Sequence, residues 1–288
     1  LECGVPADDP HVRDAARFVR AGAAGVQGPH ITYQLSLAIL FLDRLGDPAD
    51  DPLIRTLALR LMAGQKPTGG WYYDCPELSE GEARDLERIL KATRPRTSLD
   101  LLAAKGGGDR GLDDLFSGRT GDEAQGGPVL TSSGPTEEEK KEARLLYNGL
   151  APGLRAMPAL KPPPAADYAP PPDDTDNSNT QFATLGLWAA GRHGAPTERA
   201  LDLVARRFQV SQSPDGAWDY HYAPHPAGGE RPAMTGAGLL GLAVGHGVTA
   251  DLKGKEAARQ DPQVERGMRR LGGYYGEWPP PQGLYFLW

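Results

Sequence analysis

QSPDGAW, residues 212–218, follows a stretch with helical periodicity and precedes a loop rich in Tyr and His. It nearly repeats QKPTGGW at residues 65–71. Superposing the two carries Trp71 onto Trp218, an offset of 147 residues, and the same offset carries Gln65 onto Gln212 and Gln34 onto Gln181 without a gap. The flanks agree as well: ITYQLSLAILFLDRLGDP at 31–48 resembles NTQFATLGLWAAGRHGAP at 179–196. Self-similarity on this scale marks a repeat architecture and is read before any local feature.

Two kinds of helix emerge around these heptamers. The segments Leu35 to Leu45 and Phe182 to Ala190, and MTGAGLLGLAVG at 234–245, are apolar on every side. That pattern predicts helices buried all round. Gly46, Gly194 and Gly247 then offer left-handed stops, and LECGVP at 1–6 has the same ending, as the tail of a further such helix would. The second kind starts at Asp-Pro in DPHVR, DPLIR and DPQVER, where Asp can accept from free backbone N–H groups and Pro needs no partner. These helices read as amphipathic: Ile54, Leu57, Ala58, Leu61 and Met62 inward with Arg55 and Arg60 outward, and Val264, Gly267, Met268 and Leu271 inward with Glu265, Arg269 and Arg270 outward. Thr197 is the expected cap of the remaining one, with Leu201, Val204 and Phe208 inward.

Alternation of fully buried with one-sided helices requires an inner and an outer layer of helix pairs. The expected fold is all-α, an α/α solenoid, barrel or toroid; no β-branched runs between the helices support a parallel sheet. Residues 76–175 interrupt it with GGGDRG, GRTGDEAQGG and LKPPPAADYAPPPDD, tracts that bury too little apolar surface to order themselves. Helices are expected there over 79–94 and 136–154, capped by Ser79 and Thr136, with a mobile stretch around 105–135 and a polyproline path at 161–172. The chain divides accordingly into 1–75 and 176–288, carrying the repeats, and the insertion 76–175. Because the insertion leaves after Trp71 and returns at an inner helix, it is expected at the face where inner helices begin.

The motif of ARRFQVSQSPDGAW at 205–218, and less fully LRLMAGQKPTGGW at 59–71, resembles the QW repeat of squalene-hopene cyclases and the related repeat of protein prenyltransferase β-subunits. The resemblance covers about residues 1–75 and 176–288. It implies an (α/α) toroid, or part of one, with Gln65, Trp71, Gln212 and Trp218 as structural staples between successive pairs. It also implies where an acid would stand, at the start of an inner helix, in a D-x-D-D motif. DDTDNSN at 173–179 occupies that place with a different order and spacing, which leaves Asp174 and Asp176 as the catalytic candidates and helix capping as their alternative role.

The zinc ligands of prenyltransferases have no counterpart: Asp74 and Cys75 are adjacent, and Pro224 interrupts the spacing of His221 and His225. No metal and no cofactor are expected, for no phosphate-cradling glycine loop is recognisable either. Tyr72, Tyr73, Tyr220, Tyr222, His30 and His221 are the binding candidates, since aromatic groups gather in the corner loops. A net charge of −7 without a basic run argues against nucleic acid. No run of about 18 apolar residues spans a membrane, and no compartment follows from two cysteines. Leu1 and the closing LYFLW read as cut ends of a longer chain. The expected function is a noncatalytic repeat domain that binds a protein partner or an apolar, isoprenoid-like molecule; the alternative is a class II terpene cyclase or another isoprenoid enzyme.

Overall fold

A computed structural model describes residues 4–93, 136–161, 169–222, 232–249 and 261–274. Ten α-helices and no strand occur among the described residues. They are α1 (Pro10–Gly22), α2 (Ile31–Leu45), α3 (Asp51–Gly64), α4 (Glu80–Ala92), α5 (Glu137–Gly149), α6 (Pro152–Arg155), α7 (Asn177–Arg192), α8 (Glu198–Ser211), α9 (Pro232–Thr249) and α10 (Pro262–Gly272). Short 3₁₀ turns cover Pro48–Asp50 and Pro158–Leu160. The LECGVP tail in its first residues, the 105–135 stretch, most of the 161–172 path, His225 and the closing LYFLW lie outside the described residues.

The helices form two rows. In the inner row α2 packs on α7 and α7 on α9; in the outer row α3 packs on α2 and α7, α8 on α7 and α9, and α10 on α9. Glycine explains how closely the rows approach. A Cβ at Gly238, Gly241 or Gly245 of α9 would lie 2.3 Å from the Trp218 ring, 2.1 Å from Phe208 and 2.1 Å from Ala205. That stripe therefore lets α9 sit directly on α8 and its corner.

Caps set the helix starts. Asp9 and Asp261 accept from the N–H groups of His11 and Gln263, at 2.9 and 2.8 Å. Ser79 and Thr136 each make a reciprocal capping box with Glu82 and Glu139. Three expected signals work differently. Before α3 the 3₁₀ turn leads straight into the helix, so Asp51 is already helical, and its carboxylate is held by His193. Thr197 stands at the N-cap of α8 without a side-chain cap bond. Gly46 and Gly194 take positive φ as stops, whereas α9 continues through Gly247 to Thr249.

Four burial expectations are corrected. Arg60 is buried, not outward, because its guanidinium donates to the carbonyls of Pro76, Ala24 and Val26 at 2.7–3.1 Å. The inner helix α2 is open on one side, with Gln34 exposed and Leu37 49% exposed. Met268 is 56% exposed. It matches Ala16, Ala58 and Ala205, each seven places after Asp9, Asp51 or Glu198, which are all buried; among the described residues no helix follows α10 to cover it. Finally, the described helical parts of the insertion lie on the outer row: α4 pairs with α5 and packs on α3, and Pro158–Leu160 packs on α8. Leu86, Ile89 and Leu90 of α4, and Leu154, Met157 and Ala159 on the return path, join the main core, so this part is bound by apolar burial rather than held over the inner helix starts.

Candidate functional site at the start of the inner helices

The two corners are built alike. Gln65 Nε2 donates to Gly69 O at 3.0 Å and to Ala200 O, in the first turn of α8, at 2.9 Å. Gln212 Nε2 donates to Gly216 O at 3.1 Å and to Gln263 O, in the first turn of α10, at 2.8 Å. Trp71 Nε1 donates back to Leu61 O at 2.7 Å and Trp218 Nε1 to Phe208 O at 2.9 Å. Gly69 and Gly216 both have positive φ, and a Cβ there would meet the carbonyl oxygens of Leu203 and Arg266 at 2.1 and 2.5 Å.

Between these corners runs the segment that starts α7. Asp176 N donates to Trp71 O at 3.1 Å and Asn177 N to Tyr220 O at 2.7 Å, so each corner lends it one backbone acceptor. Beneath it lies Arg207, 1% exposed. Its Nε donates to Asn177 Oδ1 at 2.8 Å, and its Nη1 donates to Thr175 Oγ1 at 2.7 Å and Thr68 Oγ1 at 3.0 Å. The guanidinium lies 5.1 Å from the centre of the Tyr222 ring. Thr68 in turn donates to Asp173 Oδ2 at 2.8 Å. Burial lowers Arg207 to about 10, opposed by the charges of Asp173 and Asp176.

Of the two acid candidates, Asp176 is buried and Asp174 exposed. Asp176 Oδ1 accepts from Asn179 N and Oδ2 from Asn179 Nδ2, both at 2.7 Å. The carboxylate caps α7 with one oxygen and fixes a neighbouring amide with the other.

Above this polar floor the structure assembles an aromatic rim from four chain segments. His30 packs edge-on against Tyr73 at 4.9 Å, Tyr72 against Tyr73 at 5.0 Å, and Tyr33 against Phe182 at 4.9 Å. Tyr33 and Tyr73 lie 6.0 Å apart, and the Tyr33 hydroxyl meets Ser178 Oγ at 2.7 Å. Burial and a hydrogen bond to Tyr73 push the Tyr220 phenol above its ordinary value, and His221 stands edge-on to Tyr220 at 5.1 Å. His30, Tyr72, Tyr73, Tyr220 and His221 are thus brought together, whereas Tyr222 belongs to the Arg207 floor. Sequence reasoning missed Tyr33, Ser178 and Arg207. A signal for Arg207 existed: like Arg60 at the matching place, it stands five residues before the corner glutamine.

Asp74 faces Lys66 at 3.6 Å on the surface, while the Cys75 thiol is buried against Thr32 at 3.4 Å and pushed up to about 11 by burial. The pair does not converge, and no group of His, Cys, Asp and Glu among the described residues could hold a metal ion. Away from the rim, α3 and α4 flank a cleft of about 500 Å³ whose walls include Leu53, Leu78, Arg55 and Glu87. No helix among the described residues is long and apolar enough to cross a membrane. Comparison with family models, with curated proteins and with solved structures found no match for this chain.

Proposed function

We propose that this chain is a squalene-cyclase-like repeat segment whose hairpins are set as an arc of an α/α toroid, and that it serves as a noncatalytic binding scaffold. The aromatic rim and the open strip of α2 beside it, with Gln34 and Leu37 exposed, form its recognition surface. The occupant is an apolar, isoprenoid-like molecule, with a protein segment of similar character as the other member of the class. One observation carries the noncatalytic reading: both carboxylate oxygens of Asp176 are engaged by Asn179. A terpene-protonating acid must keep its proton and present it to a double bond. A carboxyl whose two oxygens are both occupied by Asn179, one of them as the cap of α7, presents neither to a substrate.

Incubation with squalene and with geranylgeraniol, followed by extraction and chromatography, tests both halves of the reading. The expected result is no cyclised product, together with saturable chemical-shift changes in the Tyr33, Tyr73 and Tyr220 ring signals on adding geranylgeraniol. A cyclised product that disappears in Asp174→Asn or Asp176→Asn would establish the class II cyclase reading instead. Unmoved tyrosine signals would remove the apolar ligand.

A further inference from the structure

At the end of the inner helices opposite the rim, His193 closes α7. Its Nδ1 lies 2.7 Å from Asp51 Oδ1 and its Nε2 lies 2.9 Å from Asp43 Oδ1. Carboxylates accept and do not donate, so the geometry is satisfied when both ring nitrogens carry protons. The groups around the ring come from three helices: Asp43 from the end of α2, Asp51 from the start of α3, and Arg192 of α7, which also pairs with Asp43. Arg55 Nη1 of α3 donates to His193 O at 3.2 Å. The adjacent Asp50 is engaged elsewhere, by Arg20 Nε at 2.7 Å.

We infer that His193 is a proton-dependent lock on the joint between the α2–α3 pair and α7. The position gives the lock its consequence. The insertion separates α3 from α7 in sequence, so no short connection ties these helices; Gly186 of α7 packs closely on Ser36 of α2 and Leu61 of α3 at mid-length, and polar contacts hold the two ends. At the rim end the ties are backbone bonds such as Asp176 N to Trp71 O and the buried Arg207 network, none of which titrates near neutrality. At the far end one imidazolium bridges both partners. When it loses a proton, one nitrogen turns its lone pair toward a carboxylate, and attraction becomes repulsion. The joint then loosens at this end only, where Arg192 to Asp43 and Arg55 to the His193 carbonyl are the ties that remain.

The direction of the response follows. Burial alone would lower His193, but the bonds to Asp43 and Asp51 outweigh it and raise it above the ordinary 6.5. The lock is therefore fully closed below 6.5 and is lost as pH rises through the folded-state value.

Hydrogen–deuterium exchange of the full chain, corrected for intrinsic rates and followed from about pH 5.5 to about pH 8.5, reads the lock directly. NMR titration of the His193 ring supplies the midpoint. Amides of residues 43–51 and 187–193 are expected to exchange about tenfold faster above the midpoint, the response to losing about one hydrogen bond's worth of local stability. Amides of Trp71 and Asn177 keep their rates. His193→Gln abolishes the pH step, and Asp51→Asn, which leaves Asp43 in place, moves the midpoint down and keeps the test open if the first variant fails to fold. Exchange at 43–51 and 187–193 that is flat across the His193 titration, or an equal step in His193→Gln, overturns the inference.

Discussion

Arg207 is a cation removed from water, and everything around it is arranged to accept its protons. Its partners Thr68, Thr175 and Asn177 come from two different segments that meet only on folding. Removing one partner of a buried charge network leaves the others uncompensated, at about 3–5 kcal/mol. Arg207→Met is therefore expected to lower unfolding free energy in urea by that amount, the carboxylates of Asp173 and Asp176 being left without their counter-charge. A midpoint that stays in place would show the network to be dispensable. The indole of Trp218 is anchored differently, by contact with Phe208 at a ring separation of 6.2 Å and by its bond to the Phe208 carbonyl. Burying such a ring removes ~200 Å² from water, worth about 5 kcal/mol gross at ~25 cal/mol/Å². Trp218→Ala is expected to cost about 3–5 kcal/mol, read as a large drop in thermal midpoint.

Among the elements, the inner helix α9 carries Gly236, Gly238, Gly241 and Gly245, and its sequence does not tell what lies against each of them. The packing separates them. Gly241 faces the Phe208 ring at a distance no Cβ tolerates, while Gly236, five residues earlier on the same helix, has no atom within 4 Å of its Cβ position. Gly241→Ala is expected to destabilise by about 1–3 kcal/mol through overpacking. Gly236→Ala is expected to stabilise by about 0.5–1 kcal/mol, because it lowers the entropy of the unfolded chain without a clash. Paired denaturation curves decide the matter, and two changes of the same sign would mean that α9 does not rest on α8. Helix starts show the same division: Ser79 and Thr136 were readable as caps from three residues of sequence, whereas Asp50 and Asp51 serve Arg20 and His193, groups some thirty and more than a hundred residues away.

Across the whole molecule the two corner joints share neither side chains nor acceptors. Gln65 reaches Ala200 and Gln212 reaches Gln263. Gln65→Ala and Gln212→Ala should each cost about 1–2 kcal/mol, and the double variant should equal their sum within about 0.5 kcal/mol. A large departure from the sum would mean that the joints are coupled through α7 to α9. The helical class and the recurrence of one corner at an offset of 147 residues followed from sequence alone, because hydrophobic period, glycine placement and the spacing of Gln and Trp are local properties that chain order preserves. Which polar groups are buried did not follow. Arg60 looked like a solvated face and is enclosed by three carbonyls; Met268 looked like core and is open. The insertion was placed at the rim by where it leaves and returns, yet its described helices bury Leu86, Ile89 and Leu90 on the outer row. Periodicity states which residues share a face, and only tertiary packing decides what, if anything, that face meets, since burial is a property of the neighbour as much as of the residue.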